Sequence, residues 1–422
     1  MTPSPRMTGY GVAILMALVH MLAVGDRFLL SILIEPIKAD LALRDGMIGV
    51  LQGPAFAVLN GLAIVPMTLL ARRWPLARLL AVAMLGSSVA TIACGLAGSG
   101  EAVAAARMVL GLVQAAIGPA ALGLIVAAMT PTHRGRGISL FTAGAALGRG
   151  LAMIGGGALL AVFAALSVSV APWRMVFVTG GAIGLPVALI LTRLRNPVGT
   201  GAGAEGGGDD RRRIGAALRH MIGDRASLLP HIAATLCAVL MAQSLTSWSA
   251  SLLIRLHHLT PPRAGLYVGV AMMLAGVFGH GLGGLLADRR GRGGRGSIPA
   301  LMLAGLAVGT LALWPLTRAP GLVPALAALV VAVVGLSIAL ANGMIGFQDR
   351  MPAALRVEGS AIFLTLVTLL GTAMGPWAVG MASQAIAHPT GLADAVGGVL
   401  GLTGLVGCGA ALIAAHRMRP GA

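Results

Sequence analysis

The chain has 422 residues, of which 57% are Ala, Val, Ile, Leu, Met, Phe, Trp, Tyr or Cys and a further 62 are Gly. Only 10% are charged, against about 25% in soluble domains, so soluble, disordered and fibrous classes are excluded and a polytopic membrane protein is implied. The net charge of +17 falls in short clusters between apolar runs, which points away from nucleic acid as a partner.

A helix needs about 20 apolar residues to cross the hydrocarbon of a bilayer. Twelve runs of that kind occur, at about 9–34, 46–70, 76–98, 102–129, 137–165, 174–193, 228–254, 264–287, 298–316, 321–347, 358–386 and 392–415. The first is too long for a signal-peptide core and lacks a small-residue cleavage site, so it counts as a span. Of the 30 Lys and Arg, 21 lie in the two tails and the even-numbered loops, six in the odd-numbered loops and three inside spans. This asymmetry predicts a multi-pass protein of the inner membrane with both termini in the cytoplasm.

The longest connection, about 194–226, follows span 6. Its Gly199–Gly208 part reads as a flexible linker. Beyond it, Ile214, Leu218, Met221 and Ile222 share a helical face beneath Arg211, Arg212, Arg213, Arg219 and Arg225. That pattern predicts an amphipathic helix lying on the membrane surface. The chain thus divides into a six-helix unit (1–193), a linker (194–226) and a second six-helix unit with a short tail (227–422).

The halves resemble each other. Leu69-Leu70-Ala71-Arg72-Arg73 after span 2 matches Leu285-Leu286-Ala287-Asp288-Arg289 after span 8, and Arg134, Gly137, Leu147 and Gly148 match Arg356, Gly359, Leu370 and Gly371. Two six-span repeats related in parallel are a transporter architecture, with the substrate held between the halves near the midplane.

The loop Gly284-Leu-Leu-Ala-Asp288-Arg289-Arg290-Gly291-Arg292 resembles the signature of the major facilitator superfamily. Asp26-Arg27, Glu35-Pro36, Leu51-x-Gly53-x-Ala55-Phe56, Arg107-x-x-x-Gly111 and Gly371-x-x-x-Gly375-Pro376 are most similar to its spinster-like branch. The resemblance implies an all-α membrane fold of twelve helices in two six-helix bundles. It also implies transport of a small molecule by alternating access, no enzymatic activity and no cofactor. It assigns Gly284, Asp288, Arg289, Gly291 and Arg292 to a conformational latch and makes Arg72 its first-half counterpart. Three positions depart from the pattern: Gln114 stands where the branch has Glu, Arg72 replaces a latch Asp, and Arg149 replaces a small residue in span 5. The first-half latch is therefore expected to be weak or re-paired, with Asp349 and Glu358 as candidate partners for Arg72. Arg72→Asp is expected to shift the population towards the outward-open state, in which such loops latch the cytoplasmic side.

Asp26 is the only carboxylate well inside a span. An ionisable group at that depth costs several kcal/mol unless paired or hydrated. Two readings stand: a protonatable switch, or a fixed ion pair with Arg27 or a neighbouring helix. Arg107, Gly111 and Gln114 recur at helical spacing and share one face of span 4. Arg107 then serves either a substrate or Asp26. His20, two turns before Arg27 on the same face, is a packed residue or a proton carrier. His280 in span 8 stands under the same two readings. Gly148, Gly371, Gly375 and Pro376 mark close helix packing or hinges. Cys94, Cys237 and Cys408 read as small buried hydrophobes, and no metal motif is present in the sequence.

Three Arg against one Asp leave about two excess positive charges at span depth, which an anionic substrate would relieve. The expected function is secondary transport of an anionic or amphiphilic organic solute, with protons as a coupling partner through Asp26 and with the lipid bilayer as surroundings. The alternatives are an uncoupled facilitator and a transport-dead sensor or scaffold. No oligomerisation signal stands out, and a monomer is expected.

Overall fold

The computed structural model describes residues 9–166, 169–194, 207–290, 297–386, 388 and 390–418, without the side chains of 207–210, 290 and 297. Among the described residues, twelve helices are long and apolar enough to cross a membrane. They are Gly9–Leu41, Asp45–Arg73, Leu76–Leu96, Gly100–Ala128, Arg134–Ala165 and Pro172–Arg193, then Arg225–His257, Pro261–Arg289, Ile298–Arg318, Leu322–Arg350, Ala353–Ala385 and Gly391–Arg417. We number them spans 1 to 12. With an even number of crossings, Gly9, Met418 and the linker helix Gly207–Gly223 share one side, called here the linker face; the other is the far face. Large apolar side chains stand exposed on the outer surface, among them Leu311, Val323, Leu402 and Leu405, as lipid-facing positions must.

Several spans are interrupted where the sequence demands it. Span 2 breaks at Gly53, whose missing side chain lets it abut the Ala373 carbonyl of span 11, and Pro54 starts the next helical stretch without needing an N–H partner. Span 11 opens into a wider π-type turn over Val367–Thr372 just before Pro376. Such turns absorb the hydrogen bond that a proline removes.

Packing differs between the two faces. Towards the far face, one apolar core joins both bundles: Leu29 to Ile37 of span 1 and Ile48 and Leu51 of span 2 pack in the same cluster as Trp248, Leu252 and Leu253 of span 7 and Val379 of span 11. Towards the linker face the cores are separate. Val12 to Ala23, Leu79 to Met84 and Leu124 form one within the first bundle, and Leu228, Ile232, Phe347 and Phe363 form another within the second. The far side is thus closed by shared core, whereas towards the linker side each bundle keeps its own apolar core and the two meet where span 2 approaches span 11.

The linker helix, Gly207–Gly223, is present, but its apolar stripe is split. Met221, with Ala217, is buried against Phe347, Met351 and Phe363 of the second bundle, whereas Leu218 and Ile222 are 46% and 53% exposed. Periodicity places these residues on one side of the helix; it does not say that part of that side seats on protein. The Gly199–Gly206 part of the linker lies outside the described residues.

Candidate functional site

Asp26 lies midway along span 1 and is buried. Its partner is a hydroxyl: Ser87 Oγ of span 3 donates to Asp26 Oδ2 at 2.9 Å. Gln114 Nε2 of span 4 donates to the same Ser87 oxygen and to the Ala23 carbonyl, both at 2.9 Å. A polarised chain therefore runs from Gln114 through Ser87 to the carboxylate. Asp26 forms no ion pair among the described residues, so the pairing with Arg27 or Arg107 open from the sequence is not made. Ser87 carried no sequence signal beyond being one of a polar set, Ser87, Ser88 and Thr91, in an apolar helix.

The three arginines are held by other means. Arg107, fully buried, donates from Nε to the Leu51 carbonyl at 2.6 Å and from Nη2 to the Arg27 carbonyl at 3.3 Å. Its Nη1 is buried without a partner. The Arg27 guanidinium lies 4.5 Å from the centre of the Phe56 ring and 5.0 Å from that of Phe28. Arg149 lies 5.3 Å from the Phe28 ring, and its Nε is also buried and unpartnered. Aromatic faces stabilise a desolvated cation by about 2 kcal/mol without neutralising it. The centre of the molecule therefore keeps an excess of positive charge.

Arg149 reaches across the bundle boundary. Gly148 abuts the Met21 carbonyl of span 1, and Gly150 and Gly269 of span 8 meet backbone to backbone. These glycines bring span 5 close enough to both bundles for Arg149 to enter a cavity of about 70 Å³ whose other walls belong to the second bundle, including Gln243, Thr246, His280 and Ser337. His20 is elsewhere: its Nδ1 donates to the Phe141 carbonyl at 2.8 Å, and its ring stacks on Phe141 at 4.0 Å. That is a packing arrangement between spans 1 and 5, towards the linker face.

At the linker face, Arg72 Nη2 lies 2.8 Å from Glu358 Oε1 of span 11, and Arg213 of the linker helix lies 3.7 Å from the same oxygen. Arg72 has thus been re-paired, across the bundles, with one of the two carboxylates expected. Asp288 and Arg289 stand exposed at the end of span 8, and Asp288 makes no ion pair among the described residues. Gly284 has open space around it. Gly291 and Arg292 lie outside the described residues. Gly371 packs against Val239 and Gly375 against the Leu240 carbonyl and Ser244, while the Pro376 carbonyl accepts from Trp248 Nε1 at 3.0 Å. These three thus join span 11 to span 7.

At the far face, a charge cluster that sequence reading had only counted as loop charges ties the bundles together. Arg255 of span 7 donates to Asp45 at 2.7 and 2.9 Å and to Glu35 at 2.9 Å. Lys38 also pairs with Asp45, and Ser383 of span 11 donates to it at 2.7 Å. Nearby, Gln384 Oε1 accepts from the Gly46 N–H at 3.0 Å, and Gln52 Nε2 donates to the Ser247 carbonyl at 3.4 Å.

Comparison with known proteins bears on this arrangement. The family model described as Major Facilitator Superfamily matches residues 16–376. An "MFS-type efflux pump" of Mycolicibacterium smegmatis is 28% identical over 406 residues, covering 94% of this chain and 89% of that protein. Among solved structures, a bacterial homolog of the human lysosomal transporter Spinster, inward-facing and unoccupied, superposes with a TM-score of 0.81 at 22% identity, covering 98% of this chain and 96% of the other. Its inward-facing, occupied form gives 0.78 at the same identity and coverage. The chain belongs to the major facilitator superfamily and is a multi-pass membrane transporter, not an enzyme.

Proposed function

We propose that this transporter moves a small anionic or amphiphilic organic solute across the inner membrane by alternating access, with both termini cytoplasmic and Asp26 carrying the coupling proton. The observation that carries the reading is the contrast at the centre. The only carboxylate at span depth is bound by a hydroxyl, which can serve its charged and neutral forms alike. Among the described residues the guanidinium groups around it meet carbonyls and aromatic faces and no carboxylate. A carboxylate locked to an arginine could not exchange its proton cheaply; one facing Ser87 can. An anion entering between the bundles would meet Arg27 and Arg149 uncompensated. The separated cores on the linker side and the shared core on the far side support an inward-facing arrangement for this state.

The test begins with thermal stability of the purified protein against lysophospholipids, organic acids, phosphate esters and lipophilic cations, since ligands of the folded state raise its melting temperature. Compounds that stabilise are then assayed in proteoliposomes under an imposed pH gradient. Asp26→Asn is expected to retain binding and substrate exchange but to lose accumulation driven by the gradient. Undiminished accumulation in Asp26→Asn would overturn the proton role. Stabilisation by lipophilic cations alone would overturn the anionic substrate. Binding without any flux in the wild type would favour the transport-dead sensor.

A further inference from the structure

We infer that the cavity between Arg149 and the second bundle is the headgroup site for the anion, and that each bound anion brings a proton onto His280. The inference rests on the anionic-substrate reading above and adds a second proton site to it.

The cavity, about 70 Å³, has room for a carboxylate- or phosphate-sized group and a few further atoms. Among the described residues Arg149 is the one charged group in its lining and the one contributed by the first bundle. Its Nε is buried without a partner, so it has a donor to offer. The opposite wall is formed by Gln243 and Thr246 from span 7, His280 from span 8 and Ser337 from span 10, with Leu245, Met272 and Leu336 as apolar wall. The Gln243 amide also donates to Thr372 and the Thr246 hydroxyl to the Ala242 carbonyl. That combination fits one small charged head attached to an apolar body.

His280 is specific in what it can do. Its Nδ1 lies 2.9 Å from the carbonyl of Gly276 one turn earlier, and only as a donor can it bond there. The tautomer is thereby fixed, and the remaining nitrogen, Nε2, carries a lone pair when the ring is neutral. A lone pair facing an anion repels it; a protonated Nε2 donates to it. Without an anion, Arg149 and a charged His280 would oppose each other across a small cavity, the span 7 and span 10 residues supplying no charge to separate them. Anion binding and protonation of His280 therefore favour each other, as thermodynamic linkage requires, and a guanidinium–anion–imidazolium bridge joins the two bundles.

Isothermal titration calorimetry on the full chain in amphipol tests this, using octanesulfonate and octanoate, with octanol as the uncharged control. Neither anion changes charge above about pH 6, so any proton taken up belongs to the protein. Titrations in two buffers of different ionisation enthalpy read the uptake directly. The wild type is expected to bind both anions, to take up close to one proton per ligand at the alkaline end, and there to weaken about tenfold per pH unit. His280→Gln supplies a donor without a titrating group, so it should bind with no uptake and a flat pH profile. Arg149→Gln should lose at least tenfold for the anions while leaving octanol unchanged. If Arg149→Gln lowers the melting temperature, Ser337→Ile, which fills the opposite wall, should abolish anion binding instead.

Proton uptake that persists in His280→Gln but vanishes in Asp26→Asn would overturn this inference and leave the proposed function standing. Octanol binding as tightly as the anions, or no binding of either anion to the wild type, would overturn the headgroup site. A preference between octanoate and octyl phosphate in the same assay distinguishes carboxylate from phosphate substrates.

Discussion

Replacing Arg255 by Met should loosen the far face by a predictable amount. Arg255 makes three charge-assisted hydrogen bonds, two to Asp45 and one to Glu35, and all three cross from the second bundle to the first. Its side chain is 22% exposed and that of Asp45 9%, so the pair is shielded more than a surface ion pair. Bonds to charged groups are each worth about 1.5–3 kcal/mol net, and breaking a buried pair costs about 3–5 kcal/mol when it strands a charge. Asp45 is not stranded here, because Lys38 and Ser383 remain, and Met preserves the packing of the arginine stem. The expected loss is about 2–3 kcal/mol of preference for the closed far face, or roughly a 30- to 150-fold shift towards opening. A Ser247→Cys reporter reads it in a background with Cys94, Cys237 and Cys408 replaced, because Ser247 is buried beneath the far-face contact with Gln52. Its rate of labelling by an impermeant maleimide from the far side scales with the open population when opening is fast. Lys38→Met is the control: Lys38 and Asp45 both belong to the first bundle, so its loss should cost about 1 kcal/mol or less and change labelling under about fivefold. A change under about threefold in Arg255→Met, or an equal rise in Lys38→Met, would refute the view that cross-bundle charge holds this face shut.

At the linker face, Arg72→Asp should separate the bundles, the reverse of what the sequence pattern suggests. It sets a carboxylate against the buried Glu358, so a cysteine placed at Thr68 should label faster from the linker side; slower labelling would restore the latch reading. Gly53→Val should prevent far-face closure, because a side chain there meets the Ala373 carbonyl of span 11, and the Ser247→Cys reporter should label several-fold faster; an unchanged rate would show that the break in span 2 absorbs the side chain. Gln114→Glu places a second carboxylate on the Ser87 hydroxyl that holds Asp26, so the number of protons moved per substrate in proteoliposomes should rise; an unaltered ratio would separate Gln114 from the proton path.

The twelve spans were legible because a bilayer imposes one length and one composition on every crossing helix. Asp26 was legible for the same reason, being a carboxylate where none belongs without cause. Its partner was not, since a serine in an apolar helix costs little and occurs widely for packing. Arg27 lies on Phe28 and Phe56 and not on Asp26; Asp26 and Phe28 flank it equally, each about 100° away around the helix, so spacing along the chain does not choose between them. The far-face cluster was hidden by distance along the chain: Asp45 and Arg255 are separated by 210 residues, and each looks like an ordinary loop charge until the bundles close. Arg149 was recognisable as an oddity in a glycine-rich helix. Where it goes depends on Gly150 meeting Gly269 of the other bundle, a contact that no periodicity within one helix encodes.

The two charge clusters differ in a way that bears on function. At the far face, Glu35 and Asp45 face Lys38 and Arg255, so acids and bases balance and closure needs nothing from outside. At the centre the balance fails. Arg107 is withdrawn from the cavity by the Leu51 and Arg27 carbonyls, so it serves to fix spans 1, 2 and 4 together, and the excess charge rests on Arg27 and Arg149. Aromatic faces make those two cations tolerable but leave their field intact. A self-neutralising gate can open and shut by trading one set of internal partners for water. An uncompensated centre gains most when an anion crosses the gate, so the difference between the clusters favours coupling the motion to occupancy of the cavity and opposes idle rocking of the empty protein.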